Sequence, residues 1–222
     1  MKLFQLLIDW SEVWALVIPM LVLAKNRRQP KHLSPIILYV FIAFFINFFA
    51  DLISIHIFPI SCSKYFHENT YLYNIHTIVR FGCFSAFFIL LKQPFLKTWK
   101  VSVPIIFLLF TIIYFYFEKF ANPDHISADF LATEAFILLI YCLLYYLYKL
   151  KTENEKSLSG ADFYVVTGLS VYVVVNFFVF LFYVPMIVSD RGLADNMWNI
   201  HNVGFIILCL FLAKAFNEPY AD

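Results

Sequence analysis

The stretch FYVVTGLSVYVVVNFFVF, Phe163 to Phe180, decides how the chain is read. In water a run this rich in Val reads as a β-strand, because branched side chains suit a pleated sheet. Here the run is unbroken, lacks polar alternation, and stays apolar to about residue 188, several times longer than the roughly 5–6 residues of an ordinary strand. In lipid, where backbone amides find no outside partner, such a segment is expected to be a helix. Six more stretches of the same kind flank it. The expected helices cover approximately 4–24, 36–58, 71–91, 101–117, 127–148, 162–188 and 196–215. A hydrocarbon core about 30 Å thick takes about 20 helical residues to cross, so the expected fold is an all-α membrane protein. It is a seven-transmembrane-helix bundle forming a single domain over 1–222. The same lack of alternation excludes a β-barrel.

Composition agrees with lipid as the solvent and with a multi-pass protein of the cell membrane. The chain is 62% hydrophobic and only 14% charged, with 28 Phe and 14 Tyr, which leaves too little polar surface for a water-soluble domain. A net charge of +1 gathers no nucleic acid. Asp9 and Glu12 interrupt what would be the core of a signal peptide, so the first segment is expected to stay as a helix. The loops are too short to hold a soluble catalytic domain. Cys62, Cys83, Cys142 and Cys209 form no CxxC, and no HExxH occurs, so no cofactor is indicated and enzymatic activity has no motif behind it.

Lys and Arg alternate between sides. Lys25, Arg27, Arg28 and Lys31 fall in the first loop, Lys92, Lys97 and Lys100 in the third, Lys149, Lys151 and Lys156 in the fifth, and Lys214 at the tail. The opposite side has Lys2, Lys64, Lys119 and Arg191. Because positive loops are retained in the cytoplasm, the amino terminus is expected outside and the carboxyl terminus inside. Helices 1–3 and 5–7 of this parse share no repeat that would mark a duplicated transporter.

The informative residues are the polar ones inside the spans, since an ionisable group there costs about 2.5–3.5 kcal/mol on insertion scales and normally has a partner. Arg80 lies mid-span, with Asp51, Glu134 and Glu12 at a similar depth in other segments. Four-residue spacing puts His76 on the face of Arg80 and Asn47 on that of Asp51. His201 and Asn202 lie in the outer half of the last segment, and Tyr172, Asn176 and Tyr183 form a polar stripe in the sixth. Two readings follow. In one, Arg80 pairs with Asp51 or Glu134 as a clasp between helices. In the other, Arg80, His76, Asp51, Glu134, His201, Asn202 and Glu12 line a ligand pocket open to the outside. One guanidinium neutralises one carboxylate, so the surplus acids must be protonated, hydrated or paired with a cation. His56, His76 and His201 are the weak candidates for a zinc site of three nitrogen ligands, although none has helical ligand spacing to another.

The stretches YNIHTIVRF, Tyr73–Phe81, and NMWNIHNVGFIILCLFLAKAF, Asn196–Phe216, resemble small seven-helix bacterial membrane proteins without a characterised activity. That resemblance implies topology alone, and in its pattern an acidic residue often stands where this chain has Arg80. Microbial rhodopsins fit less well, since the lysine they need mid-way along the last helix is here Lys214, at the helix end. Seven-helix zinc amidases carry a His-x-x-x-His pair where this chain has His201 and Phe205. The expected role is receptor-like: a small ligand or ion is sensed in the outer pocket, and a cytoplasmic or membrane partner reads loops such as KLKTENEKSLSGAD, Lys149–Asp162. The alternatives are a proton- or cation-coupled carrier and a membrane-embedded metal hydrolase.

Overall fold

A computed structural model describes residues 2–54, 70–91, 99–118, 126–152 and 160–218. Among the described residues the chain is all helical: α1 Lys2–Asp9, α2 Ser11–Lys25, α3 Ser34–Ser54, α4 Thr70–Leu90, α5 Trp99–Phe117, α6 Ala128–Thr152, α7 Ala161–Ser189 and α8 Arg191–Asn217, with a short 3₁₀ turn, Lys31–Leu33, leading into α3. Among the described residues five helical stretches are long and apolar enough to cross a membrane: Lys31–Ile53, Thr70–Leu90, Ala128–Lys151, Ala161–Ser189 and Gly192–Asn217. This is the make-up of a multi-pass membrane protein. His56, Cys62 and Pro59, and residues 153–159 of the stretch from Lys149 to Asp162, lie outside the described residues.

The fourth expected segment keeps its bounds, and at Val101–Phe117 it is short. The first segment is not one helix: it breaks at Trp10, between α1 and α2, and the 15 residues of α2 rise only about 22 Å. The break has an account in hydrogen bonds. The carbonyls of Leu7 and Ile8 accept from outside the regular ladder, the first from the Trp14 indole N–H at 2.8 Å and the second from the Asn202 amide at 3.1 Å. The last helix also starts earlier than expected, at Arg191, because the Asp190 carboxylate caps it by accepting from the Leu193 N–H at 3.1 Å. α7 and α8 are therefore joined through a single residue.

Helices α2, α3, α4, α6, α7 and α8 close a ring by packing in that order, with α8 returning onto α2. α5 stands against the outside of α4. Phe107 stacks on Phe81 of α4 at 3.8 Å between ring centres and meets Phe130 of α6, while Ile105, Ile106, Leu109, Ile112 and Ile113 point outward. The tightest approach is between α7 and α8. A Cβ on Gly168 would lie 2.5 Å from the Phe211 Cβ, so only glycine lets the backbones come this close.

Ring closure turns polar faces inward. Arg80, Glu134, Tyr172, Asn176, His201, Asn202, Asn47, His76 and Glu12 are all buried. At one end of the bundle, Gln29 donates to the Phe216 carbonyl at 2.8 Å and Asn26 to the Asn217 side chain at 3.0 Å, satisfying the last turn of α8. The buried Cys83, Cys142 and Cys209 are free thiols.

Candidate functional site

The buried polar residues fall into two groups instead of one pocket. In the first, the Arg80 guanidinium of α4 donates through Nε to Glu134 Oε1 at 2.9 Å and through NH2 to Oε2 at 2.7 Å, a two-pronged pair with α6. NH1 donates to the Tyr172 hydroxyl of α7 at 2.6 Å. Arg80 is 3% exposed and Glu134 0%. Both charges are removed from water and each satisfies the other. His76, one turn from Arg80, stacks on Tyr39 at 5.8 Å with its Nε2 3.3 Å from the Tyr39 hydroxyl, and meets Phe205 edge-on. Of the two carboxylates expected as partners for Arg80, Glu134 takes the place. Asp51 is elsewhere.

The second group bridges α2, α7 and α8. His201 Nε2 lies 2.8 Å from Glu12 Oε1, and His201 Nδ1 lies 2.6 Å from Asn176 Oδ1. Trp198 covers the imidazole at 5.1 Å between ring centres, with Phe180 at 5.4 Å. Asn47 donates to the Glu12 carbonyl at 3.2 Å, which fixes the α2 turn that carries the carboxylate. Tyr172 stands between the groups, bonded to Arg80 and 5.8 Å from the His201 ring.

Glu12 also lines an open cavity of about 970 Å³. Asp9, Asp51 and Asp195 share its wall, as do Trp10, Tyr73, Tyr183 and Trp198. Among the described residues lining it there is no Lys or Arg. Gln5 borders it, held by Asp9 at 2.8 Å and Asn199 at 3.2 Å. Among the described residues the cavity wall therefore combines four carboxyl groups with aromatic rings and no cationic side chain.

Of the expected pocket residues, Glu12 and Asp51 share the cavity wall, and His201 backs Glu12 from behind. Arg80, His76 and Glu134 are not in the wall, and Asn202 serves the helix break. Of the three histidines weighed for zinc, His56 lies outside the described residues, while His76 and His201 have separate surroundings. Among the described residues no three His, Cys, Asp or Glu side chains are grouped to hold a metal ion. Sequence reasoning missed Tyr73, Asp195 and Trp198 as wall residues. Trp198 and Asp195 stand three apart on α8, a spacing that puts them near one face, but nothing in the sequence turns that face toward α2. The chain matches no known family, no curated protein and no solved structure.

Proposed function

We propose that this is a seven-span membrane receptor, α1 with α2 forming the first span and α5 the fourth, which takes a small cation or cationic organic ligand in the acid-lined cavity. The observation that carries the reading is the wall: Asp9, Glu12, Asp51 and Asp195 with no Lys or Arg among the described lining residues. Such a wall is stable when the acids are protonated or a cation sits among them, and low-dielectric surroundings strengthen the preference. The Lys/Arg bias of the loops orients the cavity outward, with the Lys149–Asp162 loop inside for a partner to read. The test is thermal stabilisation of the purified protein by tetramethylammonium chloride against sodium chloride at equal ionic strength. A rise specific to the organic cation, abolished in the Glu12→Gln and Asp51→Asn double variant, supports the reading. Equal curves in the two salts defeat it.

A carrier is the second reading, favoured by the Glu12–His201 pair, since an acid and an imidazole 2.8 Å apart at a cavity wall can exchange a proton for a cation. Proteoliposomes under an imposed pH gradient separate the two: a carrier accumulates radiolabelled tetramethylammonium, and a receptor shows only stoichiometric binding.

A further inference from the structure

We propose that the Glu12–His201 pair is a one-proton store that an alkylated ammonium ion discharges on entering the cavity. This rests on the cavity reading above and adds to it a ligand class and a coupled proton. His201 Nδ1 is 2.6 Å from Asn176 Oδ1; an amide oxygen only accepts, so Nδ1 carries a hydrogen and donates it. The remaining titratable contact is Nε2 to Glu12 Oε1 at 2.8 Å. That distance is a hydrogen bond, which needs one proton between the atoms. Imidazolium facing carboxylate, or imidazole facing carboxylic acid, has the same net charge of zero.

The pair is built to be addressed from the cavity. Glu12 is 4% exposed and lines the wall, Oε1 is committed to His201, and no hydrogen bond from a described residue reaches Oε2. A nearly buried carboxylate in the cavity wall thus has one oxygen that no described residue bonds. Trp198 packs edge-on against Tyr73 at 5.5 Å and lies 5.6 Å from Tyr183, and all three rings line the cavity that Glu12 lines. Among the described residues no three His, Cys, Asp or Glu side chains are grouped to hold a metal ion, and aromatic faces attract charge spread over methyl groups, so the wall suits a quaternary or alkylated ammonium.

The proton follows from competition for one carboxylate. An ammonium drawn to Glu12 meets the positive charge of the His201 imidazolium on the same group, and a like charge that close favours the neutral imidazole. The repulsion falls when the shared proton leaves to cavity water. The carboxylate then faces the ammonium, and the imidazole stays neutral with Nδ1–H still on Asn176. No bond to carbon forms or breaks. Other titratable groups face the pair: Asp9 of α1 and Asp51 of α3 from the cavity wall, Tyr73 and His76 of α4, Tyr172 of α7, and Cys209 of α8 itself. Phenols and thiols keep their protons near neutral pH. Asp9, Asp51, His76 and the wall residue Asp195 are the competing proton sources, and replacing His201 separates them from the pair.

The experiment titrates the full-length protein in lipid nanodiscs with tetramethylammonium chloride, following heat and, in weak buffer, released protons. The expected result is one proton released for each ion bound, with affinity rising about tenfold per pH unit. His201→Gln should bind without releasing a proton, and Glu12→Gln should lose both. Saturable binding with no release, or full release in His201→Gln, overturns the proton store and leaves the cation cavity standing. Absence of binding by the wild type overturns both. If His201→Gln does not fold, the wild-type pH dependence decides, and a flat one overturns the proposal.

Discussion

Among the described residues two buried glutamates, Glu134 and Glu12, each face a basic side chain, and the two pairings differ in completeness. Arg80 and Glu134 match prong for prong, Tyr172 takes a further guanidinium donor, and no part of the pair lines the cavity. Glu12 and His201 match on one side only: His201 is used at both nitrogens, while Glu12 lines a cavity of about 970 Å³ and has one carboxylate oxygen that no described residue bonds. A complete pair holds helices together. An incomplete one beside open space has chemistry left to do.

If that contrast is right, removing a partner should hurt the two pairs very differently. Arg80→Ala strands the Glu134 carboxylate in the core and should cost about 3–5 kcal/mol, read from unfolding in mixed micelles. Replacing both residues by apolar ones of similar volume should restore most of the loss; if the double variant is as unstable as the single, Arg80 does more than balance Glu134. Next in size is Gly168→Ala, where the new Cβ meets Phe211 and should cost about 1–3 kcal/mol by prising α7 from α8. Tyr172→Phe deletes one donor's partner and should cost about 1–2 kcal/mol, within the range of bonds to charged groups and of bonds between membrane helices. Glu12→Gln should change stability by about 1 kcal/mol or less, because an amide can still bond His201 and the cavity hydrates what is left. The smallest effect is Gly82→Ala. Nothing lies within 4 Å of a Cβ there, so the change should be within about 1 kcal/mol of zero and toward stability. Circular dichroism melts rank all five, and a Glu12→Gln loss as large as that of Arg80→Ala would erase the distinction between the pairs.

The contrast was only partly legible in the sequence. Spacing placed His76 and Arg80 on one face and put Glu134 and Asp51 at the same depth, but a helical face does not say how a helix is rotated against its neighbour. The choice of Glu134 over Asp51 is made by packing of α4 on α6. Glu12 and His201 were both identified as inward polar groups, yet their pairing depends on α8 closing the ring onto α2, a contact across 189 positions. The break at Trp10 was not foreseeable from Gly or Pro, since neither is present there. It is held by Trp14 and by Asn202 from the far end of the chain. What did carry over directly is the apolar character of the fourth segment, whose Ile105, Ile106, Leu109, Ile112 and Ile113 are exposed on the outside of α5.

The central claim is that the cavity recognises positive charge through Glu12, and the most direct measurement is a calorimetric comparison of choline with its neutral carbon isostere. The two have the same shape and differ by one charge. The account predicts saturable choline binding at least about tenfold tighter than the isostere, a gap of about 1.4 kcal/mol, which closes in Glu12→Gln. Equal affinities for the two in the wild type, or an undiminished gap in Glu12→Gln, would contradict it.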